Sequence, residues 1–387
     1  MQAPSPRASI IAAAGLIALA AGMGIGRFVY TPILPFMEDA VGLTKAQGGL
    51  IASANFLGYL FGALAASLAH LPGSRRAWLL VALAVSAVTT GLMGVLSGFE
   101  TFLLVRFAGG AASAFVLVFA SALVLDRLSE IGRPGLSAAH FAGVGTGIAL
   151  SAVITFAVAS VGLDWREQWQ ASGAISLVAV ALVSRMLPGD PVRAQASADA
   201  AGGSAPGIFA LIFAYGLFGF GYVITATFIA TMVRATPEIA PLESVIWLVV
   251  GIAAIPSVAL WTWAGRRIGN SRAFALACVI EGLGVALSVL APQSAMAVSL
   301  GAALLGGTFM GITALGFVEV RRMTPGDPRR NLALMTAAFG LGQVIGPTFA
   351  GMTYAIGESF LVPSLVASLA LLIAAALTIR LRAAMPA

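Results

Sequence analysis

The chain has 387 residues, of which 59% are hydrophobic and 9% charged, with a mean hydropathy of +0.99. A soluble domain carries about 25% charged residues, so a soluble protein with one apolar helix attached is excluded. The net charge of +6 does not point to nucleic acid, because the basic residues fall in alternate loops, a topological pattern rather than a polyanion-binding face.

In chain order, Met1–Met23 has the layout of a signal peptide, with Arg7 ahead of an Ala-rich stretch. The apolar run continues to Phe36, however, and reads as a retained first span. Charges then punctuate the chain at the interval required by spans of about 20 residues. Twelve spans follow, at 9–36, 47–69, 77–97, 101–125, 136–160, 167–187, 207–233, 244–264, 273–291, 295–318, 331–355 and 359–379. Pro188–Pro206, rich in Ala, Gly, Ser and Asp, is the one stretch between spans long enough to be a linker. It divides the chain into a six-span half at 1–187, a cytoplasmic linker at 188–206 and a six-span half at 207–387.

With the first terminus inside, sixteen arginines fall in inner loops, while Lys45, Arg166 and Arg234 fall outside. This asymmetry predicts a multi-pass protein of the cell membrane with both termini cytoplasmic. The halves also repeat. Gly24-Ile25-Gly26-Arg27 corresponds to Gly219-Phe220-Gly221-Tyr222, and Gly73, Gly109-Gly110 and Gly143…Gly147 recur as Gly269, Gly306-Gly307 and Gly342…Gly346, all at offsets of 195–199. Six spans per half preserve orientation, so the repeat is parallel.

Arg106-Phe107-Ala108-Gly109-Gly110-Ala111-Ala112 is similar to the R-x-x-x-G-x-(G/A) motif of the major facilitator superfamily, and Gly73-Ser74-Arg75-Arg76 resembles the end of its loop 2–3 signature. His70 stands where that signature carries an acid. Gly342-Gln343-Val344-Ile345-Gly346-Pro347 resembles a G-x-x-x-G-P motif that the superfamily more often has in span 5, where Gly143…Gly147 is followed here by Ile148. More narrowly, Gly26-Arg27-Phe28-Val29-Tyr30-Thr31-Pro32, His140-Phe141-Ala142-Gly143-Val144-Gly145 and Gly219-Phe220-Gly221-Tyr222 resemble the YbfB/YjiJ-type branch. The resemblance implies an all-α membrane fold of twelve transmembrane helices in two pseudo-symmetric six-helix bundles, acting as a monomer.

Arg27 and Arg106 lie inside spans, about 13 Å and 9 Å below the outer end by helical rise. A cation at that depth costs roughly 2.5–3.5 kcal/mol on insertion scales unless it has a partner or faces a cavity. Guanidinium suits carboxylate or phosphate oxygens. For Arg106 a structural role in its motif stands beside a substrate role; for Arg27 a cavity role is expected. Tyr30 belongs to the same motif. Tyr215, Phe218, Tyr222 and Thr225 share one face of span 7, as a binding wall or as packing. Asn55 and Tyr59 share a face of span 2, and Gln343 is a polar group in span 11 needing a partner. Glu281 in span 9 and His140 in span 5 are the candidate proton carriers, although a packing role fits either.

No P-loop, nucleophile triad, cysteine pair or metal-ligand spacing is present in the sequence. The expectation is a non-enzymatic secondary transporter without cofactor, moving a small organic anion and coupled to protons. Proton-driven efflux of hydrophobic or cationic compounds is the alternative within transport. A non-transporting membrane sensor on the same fold is the alternative outside it.

Overall fold

The computed structural model describes residues 6–67, 73–188, 207–324 and 328–383. His70 and nearly all of the expected linker lie outside them. Among the described residues there is no strand, and eleven helices are long and apolar enough to cross a membrane, or twelve when one bent pair counts as a single span. Helices are what hydrocarbon demands, since each backbone N–H and C=O must be satisfied within its own segment. Large apolar side chains such as Leu104, Phe209 and Ile356 face outward, as suits a surface bathed in lipid.

The spans are Arg7–Val41, Lys45–Ala66, Arg75–Leu92, Phe99–Glu130, Ser137–Ser160, Trp165–Met186, Ile208–Arg234, the pair Ala240–Ala254 with Ser257–Ile268, Asn270–Leu290, Ala295–Arg322, Arg330–Gly357 and Leu361–Ile379, numbered 1 to 12. Local chemistry starts several of them. Thr44 with Gln47 and Asp164 with Glu167 form reciprocal capping boxes at spans 2 and 6. Ser74 and Ser294 accept from the first turns of spans 3 and 10.

Four spans differ most from the sequence reading, among them span 3, which ends at Leu92 and not near 97. Span 1 does not end near Phe36 but stays helical to Val41, where Gly42 adopts a left-handed φ of 72°. Glu38 and Asp39 therefore sit on the helix, each held by a cation, Lys45 at 2.6 Å and Arg234 at 2.7 Å. Span 1 also contains a π-helical stretch, Ala20–Ile25. Span 8, expected as one helix, bends by 41° between Ala254 and Ser257, at Pro256, which has no N–H to continue the ladder. Span 4 runs past 125 to Glu130 because its polar end is tied by Asp126 to Arg75 at 3.0 Å.

Spans 2 and 4 pack closely in the first half, as do spans 9 and 10 in the second. Between the halves, span 2 lies against span 11 and span 5 against span 8. Those two pairings exchange under the internal repeat. Span 1 crosses span 5 at Gly24 and Gly147, where a Cβ on either residue would collide with the other's backbone.

Hydrogen bonds between the halves gather toward one end. Thr31 donates to the Ala226 carbonyl (2.7 Å), Ser53 to the Val344 carbonyl (2.7 Å), Thr348 to Ser53 (2.8 Å) and Trp247 to Ser151 (3.2 Å). Further out, Thr231 donates to Glu38 (3.2 Å) and Arg234 pairs with Asp39 (2.7 Å). The halves are thus fastened on the side that carries Lys45 and Arg234.

Candidate functional site

Arg27 follows directly on the π-helical stretch of span 1. A π-turn shifts the hydrogen-bond register, and here Arg106 of span 4 braces the next turn. Its Nη1 donates to the Gly26 carbonyl at 3.1 Å and its Nη2 to the Arg27 carbonyl at 2.9 Å. The Arg106 guanidinium carbon also lies 5.1 Å from the Tyr30 ring and 5.6 Å from the Trp169 ring, a favourable setting for a buried cation. Tyr30 spends its hydroxyl on the Gly48 carbonyl (2.8 Å), and Asn55 donates to the backbone carbonyl of Arg106 (2.9 Å). Arg106, Tyr30 and Asn55 therefore form a scaffold that fixes the backbone of span 1.

The side chain of Arg27 points the other way, into the boundary between the halves. Its Nη2 donates to Gln343 Oε1 of span 11 at 2.7 Å. The Gln343 amide nitrogen in turn donates to the Tyr222 hydroxyl of span 7 in a short hydrogen bond. Tyr59, Phe56 and Phe28 surround the guanidinium, with ring centroids 3.9, 4.8 and 5.5 Å from its central carbon. Among the described residues neither arginine makes an ion pair, and Nε of each has no hydrogen-bond partner. Arg27 is a buried cation with an amide, three rings and, among the described residues, no counter-ion.

Behind Gln343 the second half supplies aromatic surface. The Tyr222 ring stacks on Phe309 (5.6 Å, 12°) and Phe339 (5.9 Å, 7°). Tyr215 lies two turns away on span 7, packs on Phe339 at 5.0 Å and reaches the Thr313 carbonyl at 3.5 Å. Thr225 is fully buried and its hydroxyl has no partner. Beside Arg27 and Arg106 remains a cavity of about 10 Å³, lined also by Thr31, Phe56 and Ala226, roughly the room one water needs. The halves are closed around Arg27.

Over residues 19–379 the sequence matches the family described as "Uncharacterised MFS-type transporter YbfB". The chain belongs to this family of major facilitator superfamily transporters. The uncharacterised MFS-type transporter YceJ of Bacillus subtilis is 27% identical over 175 residues, 43% of this chain and 42% of that protein, so the match spans less than half of that curated relative. Among solved structures, the nucleoside transporter NupG superposes with a TM-score of 0.74 at 16% identity, over 96% of this chain and 99% of that one. A bacterial homologue of the human lysosomal transporter Spinster, in its inward-facing occupied form, gives 0.72 at 15% identity, over 99% and 98%. These likenesses establish a shared fold.

In this transporter neither candidate proton carrier bonds directly to the line Arg27–Gln343–Tyr222, although Glu281 lies within electrostatic reach of Tyr222. His140 of span 5 is buried in the first half, with Nε2 3.1 Å from the Ser121 hydroxyl. Its ring lies against Gly15, where any side chain would strike Nδ1. Glu281 of span 9 is fully buried in the second half, with the Thr308 side chain of span 10 beside its carboxyl. The sequence singled out Arg27, Tyr59, Tyr222 and Gln343, which meet directly. Phe28, Phe56, Phe309, Phe339 and Trp169 went unnoticed, since an aromatic residue in an apolar run carries no mark of its neighbours.

Proposed function

We propose that this transporter moves a small organic anion across the cell membrane by alternating access, with the anionic group held by Arg27. The observation that carries the reading is the state of that side chain. It is a cation 3% exposed, at the contact between the halves, hydrogen-bonded to the neutral Gln343 and paired with no carboxylate. Such a charge has a standing need for an anion, and a planar fork favours carboxylate or phosphate oxygens. Arg27, Gln343 and Tyr222 come from spans 1, 11 and 7, so a ligand bound among them touches both halves and couples to their relative motion. The halves at 1–187 and 207–387 rock about this site with 188–206 as cytoplasmic tether, and Glu281 or His140 carries the coupling proton.

The test is a thermal-shift screen of the purified protein against carboxylates, phosphates, amino acids and lipophilic cations. A ligand that binds only the folded state raises stability by RT ln(1 + [L]/Kd). Anions are expected to stabilise the wild type and to lose that effect in Arg27→Ala. Stabilisation by lipophilic cations alone would overturn the reading in favour of cationic efflux. Anion binding without flux in proteoliposomes would favour a sensor.

A further inference from the structure

We propose that the anion is a singly charged aromatic acid, with its carboxylate on Arg27 and Gln343 and its ring against the stack of Tyr222, Phe309 and Phe339. This rests on the reading of Arg27 as the anchor of the anion and goes further in naming what is attached to it.

The charge comes from an inventory of cations. Arg106 keeps its charge, but both of its Nη nitrogens are turned onto the carbonyls of Gly26 and Arg27, so the guanidinium edge that can take a carboxylate in two bonds belongs to Arg27. One guanidinium compensates one carboxylate, and the second charge of a dicarboxylate or a phosphate ester would remain unpaired at this depth. The atoms of Arg27 fit a carboxylate in particular. Nη2 and Nε share one edge of the guanidinium; Nη2 now holds Gln343 and Nε holds nothing. A carboxylate accepting from both satisfies the edge that Gln343 only half occupies, and the released amide remains in reach as a donor.

The body of the ligand follows from the walls. Polar groups are few, and several are already used. The Thr31 hydroxyl is bonded to the Ala226 carbonyl and the Ser53 hydroxyl to the Val344 carbonyl. A sugar or polyol would lose hydration at each hydroxyl with little to replace it. Rings dominate instead. Tyr222 lies nearly parallel to both Phe309 and Phe339, at 12° and 7°, and Phe28 meets Phe309 edge-on at 6.1 Å and 74°. Phe56, Tyr59, Phe309 and Phe339 each keep 5–8% of their surface exposed, whereas Phe218 and Gln343 keep none. Phe56 lines the cavity at Arg27, the Tyr59 ring lies 3.9 Å from its guanidinium carbon, Phe309 meets Phe28 across the halves and Phe339 stacks on Tyr222, so the four rings surround the line Arg27–Gln343–Tyr222. Offset-stacked and edge-to-face contacts favour an aromatic ring over a saturated one of similar size.

Binding of matched pairs of probes to the purified full-length protein tests this. Benzoate, 3-phenylpropionate and indole-3-acetate are compared with cyclohexanecarboxylate and 3-cyclohexylpropionate, with phthalate as a dianion and benzyl alcohol as a neutral ring. The expected result is that at least one aromatic monocarboxylate binds about 10-fold tighter than its saturated partner, as one or two stacking contacts allow. Phe309→Leu and, as a second variant should the first fail to fold, Phe339→Leu are each expected to reduce that ratio to about 2-fold. Arg27→Ala is expected to lose both acids. Equal binding of aromatic and saturated acids, or preferential binding of phthalate, overturns the aromatic monoanion and leaves the anion reading standing. Benzyl alcohol binding as tightly as benzoate overturns the anion reading as well.

Discussion

Arg27 and Tyr222, which occupy corresponding positions of the internal repeat, meet on opposite ends of one amide. Gln343 accepts from the arginine at 2.7 Å through Oε1 and donates to the tyrosine hydroxyl through Nε2. The line begins in the first half and ends in the second, so it can persist only while the halves stay together at this level. An anion that takes Arg27 from Gln343 cuts the line at its charged end. This gives the substrate a means of altering the balance between closed and open forms, because only differential contacts shift such a balance.

Gln343→Glu makes the point testable. The substituted carboxylate gives Arg27 a counter-ion within the chain, at the position where the substrate anion is expected. The protein should remain folded and gain thermal stability, since the buried cation is then paired. Affinity for the anionic ligand should fall by at least 100-fold, about 2.7 kcal/mol. Isothermal titration of wild type and variant with the same ligand measures this, and unchanged affinity would mean the anion sits elsewhere.

Arg106 is expected to behave differently from Arg27. Its two bonds hold backbone carbonyls of span 1, and charged hydrogen bonds of this kind contribute about 1.5–3 kcal/mol each. Arg106→Ala should destabilise the protein by several kcal/mol, and Arg106→Lys should restore part of the loss, because one ammonium can still reach a carbonyl but lacks the fork. Unfolding in detergent, followed at fixed ligand-free conditions, reports this. A variant of wild-type stability with lost ligand affinity would place Arg106 in the binding site instead of behind it.

The membrane spans were legible because hydropathy records which segments lie in lipid. The pairing of Arg27 with Tyr222 across the repeat was visible as an offset of 195 residues. What joins them was not. Gln343 lies 316 residues from Arg27, and nothing in a polar side chain within an apolar run names its partner. Arg106 left two readings open from sequence, and its bonds to the carbonyls of Gly26 and Arg27 support the structural one. The π-helical stretch at Ala20–Ile25 has no signature beyond glycines, which are abundant throughout. Glu38 and Asp39 looked like loop charges because the apolar run ends before them; their helix is prolonged by Lys45 and Arg234, contacts that only the fold supplies.

Glu281 carries the prediction on coupling. Its carboxyl is fully buried, with the Thr308 hydroxyl beside it and no ion pair among the described residues. Glu281→Met should therefore raise stability, by up to roughly 1–3 kcal/mol. If the carboxyl is the proton carrier, Glu281→Gln keeps substrate exchange in proteoliposomes but loses uphill accumulation driven by a pH gradient. His140→Gln is the parallel variant, with a fall in stability expected as well because the imidazole is packed against Gly15. Uphill transport intact in both variants would exclude both residues and leave water or the substrate itself as the proton carrier.

The final prediction concerns the end at which the halves are fastened. Arg234 of span 7 pairs with Asp39 of span 1 at 2.7 Å and with Glu243 of span 8 at 2.6 Å, and its guanidinium carbon lies 4.0 Å from the Phe36 ring. The contacts to Asp39 and Phe36 cross between the halves, whereas the contact to Glu243 does not. Partly exposed ion pairs contribute about 0.2–1 kcal/mol and an exposed cation–π contact about 0.5–1 kcal/mol. Together they favour the closed arrangement by roughly 1–2 kcal/mol, a factor of about 5–30 in population. Arg234→Ala should thus raise by that factor the rate at which an impermeant maleimide, applied from the side of Lys45, modifies a cysteine placed at Ala226 in a Cys278→Ser background. Ala226 is buried against Thr31 in the closed form, so its modification reports parting of the halves. Exchanging the charges, Asp39→Arg with Arg234→Asp, should bring the rate back toward that of the parent, although the new aspartate would repel Glu243 and the recovery would be partial. An unchanged rate in Arg234→Ala would show that the other bonds across the halves at this end, from Thr31, Ser53, Thr231, Trp247 and Thr348, hold it closed without Arg234.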